Sequence, residues 1–300
     1  MIILKNKNVV ITGASSGIGR STAILLAKSG ANIIIAARRE KLLQEVVDQC
    51  KRHGVKAFYL LVDVTKIDNV QALFEFALSH LGSIDIWINN AGVGSVGEFT
   101  KTPIEVHERV IQTNLLGYLY GAYVVIPYFK DKKQGILINN ISLGAFIANP
   151  YAVAYSASKF AVRGYSEALR AELVDYPQIH VCDIYPSFVD TPGIEHAANF
   201  SGKKLRPAPP IFDPDKIAEI IVQVCESPKP TTLVGASGRV ARLSHALMPN
   251  LFGKWLKRIT SFNLRNAEKS KITQGNLFHQ IFKGKRIHGG WKRLRSPPFP

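Results

Sequence analysis

Tyr155 and Lys159 stand four residues apart in the run Tyr155-Ser156-Ala157-Ser158-Lys159, and Ser142 lies thirteen residues ahead of the tyrosine. On a helix, residues i and i+4 share a face, so the phenol and the ammonium become neighbours. A tyrosine with an ordinary pKa near ~10 needs about 3 units of lowering, or about 4 kcal/mol, to exchange protons near neutrality. One ammonium at ~4 Å in an effective dielectric near 20 supplies about 4 kcal/mol. The pair therefore suits proton transfer to an oxygen, such as the alkoxide left when hydride adds to a carbonyl. Alone, this spacing describes an ordinary surface pair. A second feature far upstream gives it weight.

That feature is Thr12-Gly13-Ala14-Ser15-Ser16-Gly17-Ile18-Gly19, which follows the first apolar run. A strand, then glycines, then a helix is the context in which such a turn holds a dinucleotide. Gly13 permits the tight turn, Gly17 lets backbone N–H groups approach a pyrophosphate, and Gly19 lets the helix pack close to the sheet. Ser15, Ser16 and Ile18 complete the loop at the helix N-terminus, which attracts the anion. The next strand ends Ala37-Arg38-Arg39 with no acid. An acid there would hold a ribose 2′-OH, whereas an arginine accommodates a 2′-phosphate. A charge-assisted hydrogen bond is worth roughly 1.5–3 kcal/mol, so NADP(H) is expected over NAD(H). The plain alternative is that both arginines form a solvated helix start beside Glu40.

Asp63-Val64 and Asn89-Asn90-Ala91-Gly92 also follow apolar runs. Both fall where an open α/β sheet binds ligands, at the carboxyl ends of strands. Asp63 can accept a bond from an adenine amino group, and Asn89 can tie neighbouring loops together. Ordinary turn chemistry favours the same residue types.

The elements that must position these groups alternate. Strands are predicted over 8–12, 32–37, 57–62, 84–89, 135–141, 180–185 and 231–234. Helices are predicted over 18–29, 40–53, 69–80, 105–129, 154–175 and from Asp213-Pro214 to Cys225. Continuous apolar strands separated by helices imply a doubly wound, parallel, seven-stranded α/β sheet of Rossmann type with helices on both faces. The stretch 188–212, with four prolines and two glycines, is long for a connection and is expected to be a substrate lid. The domain boundaries follow: a catalytic domain over 1–238, and a basic, partly disordered extension over 239–300.

As a set these motifs resemble the short-chain dehydrogenase/reductase family, in the TGxxxGIG/YxASK form and in a subgroup with a basic C-terminal extension. The resemblance covers Lys7 to about Gly235. It implies an oxidoreductase that interconverts a secondary alcohol and a carbonyl compound, with Tyr155 as general acid or base. It further implies that Lys159 holds the nicotinamide ribose, Ser142 donates to the substrate oxygen, and Asn114 holds a relay water. Pro186, Val189 and Thr191 would line the nicotinamide, with Thr191 on its carboxamide. One departure is Pro186-Ser187, where the family often has Pro-Gly. The resemblance also implies a homodimer or homotetramer built on helices near 105–129 and 154–175. Phe146, Phe188 and the lid point to an apolar small-molecule substrate.

The charge is uneven. The chain carries 38 Lys/Arg and 22 Asp/Glu, yet from Arg239 onward there are fourteen cations and one acid, Glu268. The body is thus near neutral. Three scattered cysteines, Cys50, Cys182 and Cys225, fit a reducing, cytoplasmic compartment better than a disulfide scaffold. The N-terminus charges too quickly for a signal peptide, and the apolar stretch 115–129 is shorter than the ~20 residues a bilayer needs. The histidines show no ligand spacing, so no metal is expected, and the absence of a GxSxG elbow argues against an α/β-hydrolase.

In the tail, Val240, Leu243, Leu247, Leu251, Phe252, Trp255, Leu256 and Ile259 recur at helical spacing, broken at Pro249. Such a stripe usually packs against the same chain or a partner subunit. Peripheral contact with an anionic membrane is the sharper reading. No specific nucleic acid is expected, because a basic run attracts one only in a sequence-blind way. The alternative from another class is a non-catalytic NADP(H)-binding redox sensor that signals through this tail.

Overall fold

The computed structural model describes residues 2–281, 284 and 286–293. In chain order the body comprises β1 (Asn8–Thr12), α1 (Gly17–Lys28), β2 (Asn32–Ala37), α2 (Glu40–Lys51), β3 (Ala57–Leu61), α3 (Ile67–Leu81) and β4 (Ile86–Asn89). There follow β5 (Ser95–Val96), α4 (Ile104–Ile111), α5 (Gly117–Lys132), β6 (Gly135–Asn140), α6 (Val153–Glu172) and β7 (Ile179–Tyr185). The chain continues with α7 (Gly193–His196), β8 (Ala198–Asn199), α8 (Pro214–Glu226), β9 (Thr231–Leu233), α9 (Ala236–Leu247) and α10 (Pro249–Asn266). Seven strands form one sheet in the order β3-β2-β1-β4-β6-β7-β9, and every pairing is parallel.

Successive strand residues point to opposite faces, and both faces are covered. Val9 and Ile11 pack with Leu26, Leu43 and Ile221 beneath α1, α2 and α8. Val10, Trp87 and Leu137 pack with Leu73, Val125 and Phe129 beneath α3 and α5. This double burial is why the strands read as unbroken apolar runs. The strand order reverses between β1 and β4, so the crevice outside Thr12 and Asn89 is the ligand-binding position of such a sheet.

Three differences from the sequence expectations matter for the site. The helix expected over 105–129 is interrupted by a π-helical turn, Gln112–Leu116, an insertion frequent at functional sites. The 188–212 stretch is structured: β8 pairs with β5, and Phe212 N–H donates to the Phe188 carbonyl at 2.8 Å. The tail does not trail away. After α10 it returns over the carboxyl ends of the strands, where Thr273 pairs with Asn199 in the antiparallel sense.

Candidate active site

The glycine turn is shaped by contact with the β4 loop. Gly13 sits at φ +69°, and a Cβ there would lie 2.6 Å from Ala91 Cα. A Cβ on Gly19 would lie 2.6 Å from the Gly13 carbonyl. Asn90 pins the two loops: its amide donates to the Thr12 carbonyl at 3.0 Å and the Gly13 carbonyl at 3.1 Å. Asn89 does not perform the tying role expected of it. It is fully buried and bonds the Trp87 indole, the Tyr118 carbonyl and the Asn139 side chain. The loop-tying asparagine is the next residue.

Asn139 and Asn140 were not singled out from sequence. Asn139 links Asn89 to Tyr165, Ser166 and Asp183 in a polar layer under the site, and Arg170 closes that layer on Asp183 at 2.9 Å. Asn140 donates to Asn90 at 2.8 Å. Two asparagines inside an otherwise apolar strand were the available signal, because buried amides must find partners.

The structure brings Ser142, Tyr155, Lys159 and Asn114 together at the ends of β6 and α6. Ser142 has φ 153°, a region that costs a non-glycine residue energy and persists where the surroundings over-determine it. Its hydroxyl accepts the Gly144 N–H at 3.0 Å and lies close enough to the Tyr155 phenol to favour its ionised form. A Cβ on Gly144 would lie 3.1 Å from the Tyr155 ring, so glycine keeps the phenol in place. Lys159 is buried, with its Nζ 5.0 Å from the Tyr118 ring centroid and 5.8 Å from that of Tyr155. Asn114, on the π turn, accepts the Val93 N–H at 2.8 Å and donates to the Val93 carbonyl and Ser158 Oγ. Its side chain thereby joins the β4 loop to α6.

The electrostatics differ from the simple expectation. Burial raises the Tyr155 phenol above its ordinary value, and the Ser142 hydroxyl only partly offsets this. Burial also lowers the Lys159 ammonium to about 7. The acidification of Tyr155 by Lys159 expected from the sequence is therefore not what the fold gives: burial acts on both groups, lifting the phenol and lowering the ammonium. In this state Tyr155 is a neutral phenol, the form that donates a proton.

Arg39 donates to Ser15 Oγ at 3.0 Å and Ser16 Oγ at 2.7 Å. Arg38 donates to the carbonyls of Asn276 and, at 3.1 Å, Leu277. Burial pushes the Asp63 carboxyl up, but hydrogen bonds from Thr65 and the charges of Arg109 and Arg38 leave it below its ordinary value. Val64 packs against Gly117, Gly17 faces the Thr191 side chain, and Pro186 accepts the Leu143 N–H at 2.8 Å. Val189 accepts the Thr191 N–H at 2.7 Å. Ile18 lies against the apolar cluster under α1. Gly92 stays exposed beside Asn114 and Lys159. Phe146 is not an open pocket wall: it is buried against Tyr185 and stacked by Arg163 and Arg242 at 4.4 and 4.5 Å.

Sequence reasoning missed the returning tail. Leu277 is 1% exposed and packs with Val106, Ala154, Val93 and Tyr155. The Gly17 N–H donates to the Arg286 carbonyl at 3.2 Å. Trp291 donates to Asp190 at 2.7 Å and to the Thr191 carbonyl at 3.0 Å. Arg38, Arg39 and Gly17 therefore all present donors to oxygen acceptors. A donor set of this kind fits the oxygens of a phosphorylated dinucleotide, although the tail's carbonyls now take two of the three.

Residues 7–200 match the family described as short chain dehydrogenase, and the chain belongs to that family of oxidoreductases. It is 33% identical over 301 residues to the uncharacterized oxidoreductase YxnA of Bacillus subtilis, covering 98% of this chain and 84% of that one. It is 34% identical over 230 residues to the uncharacterized oxidoreductase Lmo0432 of Listeria monocytogenes, covering 75% and 93%. The first match therefore extends into the C-terminal extension. Among solved structures, a short chain dehydrogenase/reductase from Burkholderia phymatum in complex with NAD superposes with a TM-score of 0.75 at 22% identity, covering 84% and 96%. An alcohol dehydrogenase from Thermococcus sibiricus complexed with 5-hydroxy-NADP gives 0.66 at 27%, covering 77% and 95%.

Proposed function

We propose that the protein is an NADP(H)-dependent oxidoreductase that interconverts a secondary alcohol and a ketone or aldehyde. The observation that carries this reading is the placing of Ser142 and Tyr155 on either side of Gly144, where a Cβ would lie 3.5 Å from the Ser142 Oγ and 3.1 Å from the Tyr155 ring, beside a buried Lys159. The bound nicotinamide would supply or accept the hydride. The chain's own residues do the rest. Ser142 and Tyr155 both present hydroxyls to the substrate oxygen, and the neutral phenol donates a proton to it when a carbonyl is reduced. Asn114 fixes the β4 loop against α6, and a relay water there belongs to this reading. Arg38 and Arg39, with no acid in the β2 turn itself, favour a 2′-phosphate over a bare ribose.

Admission of the dinucleotide requires Arg38 and the Gly17 N–H to release the tail carbonyls. This lends support to a second reading, a redox sensor in which NADP(H) displaces the tail without turnover. The exposed Tyr123 and Phe160 on α5 and α6 supply apolar surface for a homodimer or homotetramer.

The test follows NADPH absorbance across apolar ketones, aldehydes and quinones, alongside thermal shifts with NADPH and NADH. The reading requires turnover of at least one carbonyl class and a larger shift with NADPH. Arg38→Ser should reduce the NADPH preference by about ten- to a hundredfold, the equivalent of one charge-assisted bond. Binding of NADPH with no turnover across the panel would favour the sensor.

A further inference from the structure

We propose that the α9–α10 hairpin is a docking surface for an anionic lipid bilayer, set beside the substrate end of the site. The hairpin exposes many of its apolar residues. Val240, Leu243 and Leu247 on α9 and Leu251, Trp255 and Phe262 on α10 all face solvent, Leu247 at 70% and Trp255 at 55% exposure. On a helix of 3.6 residues per turn, Leu251, Trp255 and Phe262 fall within about 40° of one another. They form a stripe that the other described residues leave uncovered. Packing against the same chain, one of the two options favoured by the sequence pattern, covers only part of the apolar side: Phe252, Leu256 and Ile259 are half-buried, while the described residues leave Leu251, Trp255 and Phe262 exposed. Helix α10 spans 18 residues and fully buries none of them, and such a helix draws most of its stability from a surface its apolar face can enter.

The charges select the occupant. Residues 236–266 contain Arg239, Arg242, Lys254, Lys257, Arg258 and Arg265, and no acid. Lys254, Arg258 and Arg265 are exposed and lie within about 60° of Leu251 on one flank of the stripe. A second copy of the chain would bring two acid-free, cationic faces together, which repel. An anionic bilayer surface meets both demands: headgroups for the cations, and an acyl boundary for Leu251, Trp255 and Phe262. No helix among the described residues is long and apolar enough to cross a membrane, so the hairpin would lie in the interface plane.

The hairpin is fastened to the catalytic loop. A Cβ on Gly238 would lie 2.9 Å from Leu143, next to Ser142. Arg242 stacks on Phe146, and Ser261 Oγ is 3.0 Å from the Tyr151 hydroxyl. Lys203 holds the end of α10 through the Arg265 and Ala267 carbonyls. Docking would therefore bring the Ser142–Tyr155 end to the lipid surface. Granting the oxidoreductase reading, the substrate class is then a membrane-partitioned carbonyl or alcohol.

The full chain is sedimented with vesicles of phosphatidylcholine alone and of equal parts phosphatidylcholine and phosphatidylglycerol. The expected result is pelleting with the mixed vesicles only, reversed by high salt and weakened at least about tenfold in Leu251→Ser/Trp255→Ser. Both positions are exposed, so the variant's thermal midpoint checks that it folds. Independently, wild-type tryptophan emission should shift to the blue on adding mixed vesicles, and Trp255→Phe should lose that shift. Absence of pelleting, equal pelleting on both compositions, or a lipid-free dimer that Trp255→Ser dissociates would each overturn the proposal. None of these readouts needs turnover, so their failure is distinct from failure of the oxidoreductase reading.

Discussion

Asn139 and Trp255 stand at opposite extremes of the molecule. The first is a polar side chain with no exposure at all, and its amide is bonded to Asn89, Tyr165, Ser166 and Asp183. The second is a large apolar side chain left 55% exposed. The layer around Asn139 is satisfied by the chain itself, and it ties β4, β6 and β7 together under Ser142 and Tyr155. The surface around Trp255 is unsatisfied by the chain, and it carries cations without acids. The buried layer around Asn139 completes its own bonding, although the neighbouring Asn140 Oδ1 is buried with no partner among the described residues. The hairpin surface leaves its apolar face open, as the proposed lipid contact requires.

The largest expected effect falls in the first region. Tyr155→Phe removes the hydroxyl proposed as the proton donor but leaves the glycine turn intact, so kcat should fall about a thousandfold while the NADPH-induced thermal shift persists. Comparable turnover in the variant would move the chemistry elsewhere. Next comes Lys159. Its ammonium is lowered to about 7 by burial, whereas an unfolded lysine holds its proton to about 10.4. Between these values the unfolded state binds more protons, so stability should rise with pH across that window. At about 1.4 kcal/mol per unit the gain reaches a few kcal/mol. Denaturant midpoints at pH 7 and 9 should show it in the wild type, and the slope should flatten in Lys159→Met.

Leu277 joins the two regions, since it belongs to the tail and is buried beside Tyr155. Leu277→Ser forfeits about 2 kcal/mol or more of apolar burial. If the tail competes with the dinucleotide, the NADPH Kd should tighten at least about tenfold, read by fluorescence titration. Unchanged or weaker binding would make the tail part of the cofactor seat. The smallest effect belongs to Trp255→Ser, which should leave the stability of the isolated protein within about 0.5 kcal/mol. A larger loss would mean that the chain itself uses this face.

Much of the sheet was legible in advance because burial on both faces leaves an unbroken apolar run, as in Val9-Val10-Ile11. Gly13, Gly19, Ser142, Tyr155 and Lys159 were legible through spacing, since a turn and a helix fix which neighbours meet. Three things were not. Arg38 meets Leu277 across more than two hundred residues of chain, and no local pattern encodes such a contact. Asn89 and Asn90 divide their tasks by strand parity, which depends on where β4 ends. The direction of the Tyr155 shift depends on how much solvent the finished fold excludes.

The central claim is hydride transfer between a nicotinamide and a carbinol carbon. Its most direct measurement supplies NADPH deuterated at the transferable position, together with an apolar ketone that the enzyme consumes, and examines the alcohol by mass spectrometry. Deuterium on the carbinol carbon is the predicted result. NADPH consumption that yields an alcohol without it, or no consumption across every carbonyl class, would contradict the account.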